Sequence, residues 1–118
     1  MFVVKVLVAG ILALTLAATR LSAQQAPSGQ ETYRSECRTC HGANGVPSAH
    51  SREEYPKIAT FADSAFFDGR GQDSIVAVLR RGVGRDMKSF RDKLSPAEIQ
   101  AVATYIRTLA RRRGLAGQ

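Results

Sequence analysis

The sequence has few of the residues that build cross-linked or metal-clustered proteins. Its 118 residues include two Cys, two His, two Met and no Trp. Two cysteines form at most one disulfide, which excludes a disulfide-dense scaffold. The two Cys and two His residues also lack the spacing of zinc-finger ligands, so a zinc finger is not expected. No apolar run reaches the ~20 residues that a membrane-spanning helix needs.

Acidic residues are also scarce relative to basic ones. The chain has 17 Lys and Arg against 10 Asp and Glu, a formal net charge of +7, with 44% hydrophobic residues. This composition is typical of a globular protein, and the length suits one domain. The basic run 111–113 is expected to stabilise the C-terminal end of a helix, so we expect no nucleic-acid partner.

The N-terminal segment resembles a secretory signal peptide in its layout. Lys5 precedes an uncharged stretch, 6–19, and small residues follow at 22–23. We predict cleavage after Ala23 and a periplasmic location. The alternative is an uncleaved anchor, but 14 helical residues rise only ~21 Å against a ~30 Å hydrocarbon core. The chain is predicted to comprise a signal peptide (1–23), a short polar lead (24–28), a folded domain (29–113) and a C-terminal tail (114–118).

Capping patterns predict an all-α domain. Ser28 with Glu31, and Ser95 with Glu98, each form the pattern of a capping box, which marks the first residues of a helix. Asp73 is the predicted cap of a helix between them. Three main helices are predicted, over residues 29–40, 74–81 and 96–113, the last ending before Gly114.

Long connections separate these helices. Residues 43–72 hold several Pro and Gly residues, with short helical turns expected near 53–60 and 63–67; residues 83–94 form a second loop. Structureless loops of this length are uncommon in a compact domain. Loops that wrap a bound group would explain them.

The sequence Cys37-Arg38-Thr39-Cys40-His41 carries the chemistry. Cysteines three apart lie on the same side of a helical turn, so both sulfurs can form thioethers to one haem, and His41 can bind its iron. A thioredoxin-like site would need a neighbouring strand, and zinc would need a fourth ligand, for which His50 is the remaining candidate. A plain Cys37–Cys40 disulfide also stays open in an exported protein.

Haem iron then needs a second axial ligand or keeps an open position. Met87 is the candidate, because Asp86 and Lys88 beside it argue against a purely core role, and it would be the sole methionine after cleavage. His50 is the rival, but it lies only nine residues after His41. An exposed surface role for His50 is expected instead.

Over residues 28–109 the sequence resembles the class I cytochrome c family. The segment 29–37, with Gly29 and Tyr33, looks like the family's first helix, and 94–106, with Tyr105, looks like its last. The resemblance implies a cytochrome c-like fold, in which three main helices and long loops wrap one covalent haem. It also implies that the first and last helices cross at a small residue and pack aromatic rings there.

The resemblance further implies how the iron ligands are held. Pro56-Lys57-Ile58-Ala59 is similar to the stretch whose proline carbonyl accepts a hydrogen bond from the ligand histidine, which would assign that role to Pro56. The family often has Met-Pro-x-aromatic, whereas this chain has Met87-Lys88-Ser89-Phe90. Lys88 should leave the Met87 loop less rigid than proline would.

The predicted function is one-electron transfer by a periplasmic mono-haem cytochrome and not enzyme catalysis, since His/Met ligation leaves no open iron position. Four basic residues cluster around Met87, namely Arg85, Lys88, Arg91 and Lys93, and beside an exposed haem edge they would attract an acidic surface on a redox partner. One alternative is a haem c subunit of a larger exported dehydrogenase or oxidase. A sensor or peroxidase with an open iron site is a further alternative.

Overall fold

The described part of the chain is helical. The computed structural model describes residues 26–116, with side chains as far as Arg112, so the predicted signal peptide lies outside the described residues. The helices are, in order, α1 (Gly29–Glu36), α2 (Arg38–His41), α3 (Ala49–Glu54), the 3₁₀ helix η1 (Ser64–Phe67), α4 (Gln72–Arg81) and α5 (Pro96–Ala116). Between residues 26 and 116 the only β pairing is an isolated bridge between Val83 and Met87. The all-α prediction is confirmed.

Both predicted capping boxes are formed. The Ser28 hydroxyl accepts from the Glu31 backbone N–H at 3.3 Å, and the Glu31 carboxylate accepts from the Ser28 N–H at 2.7 Å. Ser95 and Glu98 repeat this exchange at 3.2 and 2.7 Å. Each box satisfies backbone donors that the first turn of a helix leaves without partners.

Three helix boundaries differ from the predictions. The first predicted helix is interrupted at Cys37, whose ψ of −36° accompanies a φ of −116°, so α2 is a separate turn. Helix α4 begins at Gln72 after Gly71, and Asp73 lies inside its first turn instead of capping it. Helix α5 continues through Gly114, because a glycine inside a helix costs only about 1 kcal/mol.

The segment 43–72 is more ordered than its composition indicates. The Ser48 hydroxyl accepts from the Ser51 N–H at 3.1 Å and caps α3, which begins four residues before the turn predicted at 53–60. The Asp63 carboxylate caps η1 at 3.0 Å, where a short turn was predicted. These small elements fold the segment against the core.

The core is built where α1 crosses α5. At Gly29 a Cβ would lie 3.1 Å from the Tyr105 Cβ and would overlap the Ala101 carbonyl. The Tyr33 and Tyr105 rings pack there with centroids 5.3 Å apart. The small-residue crossing implied by the family resemblance is therefore confirmed. Helix α4 also packs on α5, and the buried apolar residues of both helices form one cluster.

Candidate haem site

One cleft brings the predicted haem residues together. It has a volume of about 970 Å³, which is at the upper end of the range for cofactor pockets. Cys37, Cys40, His41 and Met87 all line it. They come from the α1–α2 junction, α2 and the loop after α4, and apolar residues of α4 and the segment 58–66 supply most of the remaining wall. The sequence predicted these four positions, and the fold places them around one cavity.

The two cysteines are presented differently. Cys37 is buried and Cys40 is exposed, and no disulfide joins them. Burial raises the pKa of the Cys37 thiol to about 12, and the nearby Glu36 carboxylate acts in the same direction. Their shared helical turn lets both sulfurs face the cleft, which is the requirement for attachment to one flat group.

The His41 ring is oriented by a backbone carbonyl. Its Nδ1 lies 3.3 Å from the Ala59 carbonyl oxygen, and since a carbonyl can only accept, Nδ1 carries the proton. Nε2 is then left with the lone pair that can bind a metal. Burial lowers the pKa of His41, and the bond to Ala59 opposes this effect only in part. The structure thus favours the neutral imidazole, the form that ligates iron.

The acceptor predicted for His41 is corrected by this contact. Pro56 is exposed and occupies the corner of a turn in which the Ile58 N–H donates to the Tyr55 carbonyl at 2.9 Å. The carbonyl that contacts the His41 Nδ1 is therefore that of Ala59, three residues after Pro56. The sequence indicated the right segment, 56–59, but not which of its carbonyls contacts the imidazole.

A chain of aromatic rings connects His41 to the helix crossing. The Phe61 ring stacks on the His41 imidazole with centroids 4.5 Å apart and planes inclined by 22°. Phe61 also contacts Tyr33 edge-on at 6.4 Å. The fully buried Tyr33 donates its hydroxyl to the Gly42 carbonyl at 2.8 Å, directly after His41. Phe61 was not singled out from the sequence, because its role depends on a contact 20 residues distant along the chain.

The Met87 loop, residues 82–94, folds back on the end of α4. The Val83 N–H donates to the Met87 carbonyl at 2.8 Å, and the Met87 N–H donates to the Val83 carbonyl at 3.2 Å. Gly82 permits this turn with a φ of +75°, and a Cβ there would lie 2.5 Å from the Met87 carbonyl oxygen. Met87 is half-buried and packs against the core from the cleft wall.

His50 does not share the cleft. It lies on α3 with its side chain 84% exposed, and its Nε2 is 3.6 Å from a Glu54 carboxylate oxygen one helical turn later. Among the described residues no three His, Cys, Asp or Glu side chains are grouped as metal ligands. The zinc alternative, which needed His50 beside the cysteines, finds no support in this arrangement.

The rim of the cleft is mainly basic. The charged residues that line it are Lys57, Arg70, Arg81, Lys88 and Lys93, against Glu36 and Asp86. Lys93 Nζ lies 2.5 Å from the Glu36 carboxylate, so this pair connects the Met87 loop to the end of α1. Of the four basic residues predicted to cluster near Met87, Lys88 and Lys93 line the cleft; Arg85 and Arg91 are exposed in the same loop.

The cleft has the properties that a covalent haem requires. It is lined largely by apolar side chains, and two thiols lie at thioether spacing along one helical turn. The His41 imidazole lines the same cavity, and its Nδ1 contact with Ala59 leaves Nε2 free; the Met87 thioether lines the cavity too. No other described part of the chain assembles this combination, and all four side chains would contact a group bound there.

Comparison with known proteins agrees with this site. Residues 24–106 match the family model described as cytochrome C oxidase, cbb3-type, subunit III. The chain is 30% identical over 84 residues to the cbb3-type cytochrome c oxidase subunit FixP of Azorhizobium caulinodans; this covers 71% of the chain and 27% of that relative. The chain thus spans about a quarter of the length of the curated relative it matches.

Two solved structures are similar to the fold. The KustC0563 c-type cytochrome superposes with a TM-score of 0.63 and 28% identity, covering 70% of this chain and 98% of that one. A mutant of the same cytochrome, in which one tyrosine is replaced by phenylalanine, gives a TM-score of 0.62 and 26% identity, covering 70% and 99%. In the described range 26–116, moreover, no helix is both long and apolar enough to cross a bilayer. The chain belongs to the cbb3-type subunit III family and is a class I c-type cytochrome, an electron-transfer protein whose family implies covalently bound haem c.

Proposed function

We propose that the chain is a periplasmic mono-haem cytochrome that carries single electrons between redox partners. The observation that carries the proposal is the single cleft lined by Cys37, Cys40, His41 and Met87. In it Cys37 and Cys40 would hold the haem covalently, and His41 and Met87 would bind the iron. A haem bound there would supply one-electron Fe(III)/Fe(II) chemistry, and ligation by Met87 would raise its potential.

The side chains around these four have separate tasks in this proposal. Ala59 keeps the His41 Nδ1 protonated, so the imidazole binds iron through Nε2 in one fixed orientation. Phe61 stacks on that ring and limits its rotation. The apolar wall from α4 excludes water from the cleft. If His41 and Met87 both bound the iron, they would leave no position for a substrate, so the chain itself is proposed to be a carrier and not an enzyme.

Covalent attachment is tested by mass. The chain is expressed with an export signal and haem-attachment machinery, purified, and denatured. The expected result is a chain heavier by one haem that retains its visible absorption in acid and denaturant. Cys37→Ala and Cys40→Ala should each leave a single thioether, which shifts the reduced absorption maximum. Recovery of the unmodified mass, with a Cys37–Cys40 disulfide in its place, would contradict the proposal.

Docking is proposed to use the basic rim, with an acidic surface on the redox partner as the complement. Lys57 and Lys88 lie on the rim and are exposed, so their charges act at the mouth of the cleft. Small redox probes measure this directly. The charge reversals Lys57→Glu and Lys88→Glu should slow oxidation by anionic hexacyanoferrate(III) and speed oxidation by cationic tris(1,10-phenanthroline)cobalt(III), most at low ionic strength.

A control for net charge is available on α1. Arg34 is exposed and does not line the cleft, so Arg34→Glu changes the total charge equally without changing the rim. If Arg34→Glu alters the two rates as much as Lys88→Glu does, the rim has no special part in docking.

A second candidate function is that of the haem c subunit of an exported oxidase complex. The match to the subunit III family and the similarity to FixP favour it. The two candidates differ in whether a stable partner exists. A carrier should elute at the mass of a single chain and support electron transfer at micromolar concentration. A subunit should co-purify in fixed ratio with an oxidase whose oxygen consumption falls when the chain is removed.

A further inference from the structure

The C-terminal end of α4 is capped by the Met87 loop. The last carbonyls of a helix lack partners within it. Here the Phe90 N–H donates to the Leu79 carbonyl at 2.9 Å, and the Ser89 hydroxyl donates to the next carbonyl, that of Arg80. The Ser89 oxygen also accepts from the Arg91 N–H at 3.3 Å. Ser89 is thus the side chain that fastens this loop to α4, two residues after Met87.

This fastening replaces a restraint that the sequence lacks. Lys88 follows Met87, so no proline ring fixes the backbone φ there. The loop approaches α4 closely all the same, since a Cβ on Gly82 would lie 2.8 Å from the Ser89 nitrogen. Although Lys88 leaves the loop without a proline, the hydrogen bonds of Ser89 restrain the same segment.

We propose that Ser89 is a positioning residue for Met87. Its bond to the Arg80 carbonyl holds the loop against α4, which keeps the Met87 thioether in the cleft and available to the iron. The proposal rests on Met87 being an iron ligand. Ser89 also lines the cleft, but its hydroxyl is bonded to the Arg80 carbonyl, so its effect should appear in how readily Met87 leaves the iron.

Exogenous imidazole measures how readily Met87 leaves. It binds ferric iron only in the fraction of molecules in which Met87 is displaced, so its apparent affinity scales with that fraction. In the haem-loaded protein, Ser89→Ala should raise the apparent imidazole affinity about fivefold, since a neutral hydrogen bond is worth about 1 kcal/mol. Ser89→Thr keeps the hydroxyl and should restore the original affinity.

Two further variants make the result specific. Ser64→Ala removes the hydroxyl of an exposed serine on η1 and should leave imidazole affinity unchanged. Met87→Ala should bind imidazole far more tightly than the unsubstituted protein. If Met87→Ala and the unsubstituted protein bind it equally, Met87 is not a ligand, and the ligand assignment falls together with the role of Ser89.

The remaining outcomes concern Ser89 alone. If Met87→Ala tightens imidazole binding but Ser89→Ala does not, Met87 is a ligand and the positioning role is refuted. A lower melting temperature for Ser89→Ala with unchanged imidazole affinity would also refute it, because this would show that the hydroxyl only stabilises α4. Far-ultraviolet circular dichroism of each variant verifies that the helical fold is kept.

Discussion

Gly29→Ala tests whether the α1–α5 crossing holds the fold together. An alanine Cβ at this position would overlap the Ala101 carbonyl and lie 3.1 Å from the Tyr105 Cβ. Overpacking a core typically costs ~1–3 kcal/mol, and a backbone carbonyl cannot rotate out of the way, so the upper part of this range applies. Alanine regains ~1 kcal/mol through its better helix propensity. The expected net loss in the free energy of unfolding is about 2 kcal/mol.

For a domain of this size that loss corresponds to a melting temperature ~8–16 °C lower. The assay is thermal unfolding of the haem-loaded protein at neutral pH, followed by circular dichroism. Gly71→Ala is the matched control, since Gly71 has an ordinary φ of −73° and a Cβ there would meet open space. Because alanine is a poorer N-cap than glycine, the melting temperature of Gly71→Ala should fall, but by less than that of Gly29→Ala. Equal melting temperatures for the two variants would refute the close-contact argument.

Three further predictions concern polar groups near α1. Thr32 is 2% exposed and its hydroxyl has no hydrogen-bond partner, so Thr32→Val should raise the free energy of unfolding by ~1 kcal/mol in the same melts. The control is Thr104→Val, which removes a hydroxyl that does form hydrogen bonds. If Thr32→Val stabilises the protein no more than this control does, the prediction is wrong. The Ser28 backbone N–H lowers the pKa of Glu31 from 4.5, so the hydrogen bond stabilises the fold above that pH, and this stabilisation is lost as pH falls through the folded-state pKa. Glu31→Gln should therefore weaken the fall of the melting temperature at acid pH. An unchanged fall would disprove the assignment. In the Glu36–Lys93 pair the lysine side chain is 62% exposed and the glutamate 20%. A double-mutant cycle should therefore give a coupling of ~1 kcal/mol that weakens at high salt, and a salt-insensitive coupling would show that the pair is shielded from solvent.

Local sequence signals predicted the parts of the fold that depend on neighbours within a turn. Ser28 with Glu31 and Ser95 with Glu98 form their boxes because each partner is three residues from the other, whatever the rest of the chain does. The Cys37–His41 motif is local in the same way. These features required no knowledge of tertiary contacts.

Features that depend on distant segments were not predictable in this way. The choice of Ala59 over Pro56 depends on a turn at 55–58 that brings one carbonyl to His41. Ser89 acquires its role only when the loop folds back on Arg80. Asp73 is a residue type that commonly caps helices, but α4 begins one residue earlier, at Gln72, whose side chain donates to the Thr104 hydroxyl on α5 at 3.0 Å. In each case a tertiary contact overrode the local preference.

Other predictions depend on the residues at the chain ends. The signal peptide and its cleavage after Ala23 concern residues outside the described range, and they stay predictions together with the proposed domain limits. N-terminal sequencing of the protein recovered from the periplasm would test both the export and the cleavage site. The number of haems is tested by the mass measurement described above.

The ferric absorption spectrum tests the central claim most directly, because the pairing of His41 with Met87 decides between a carrier and an open-site haem protein. The account predicts sharp reduced bands of covalent haem and the weak near-infrared band of a methionine–iron(III) bond, which should disappear in Met87→Ala. The reduced protein should bind carbon monoxide only slowly, whereas Met87→Ala should bind it readily. A covalent haem without the near-infrared band and with rapid carbon monoxide binding in the unsubstituted protein would contradict the account.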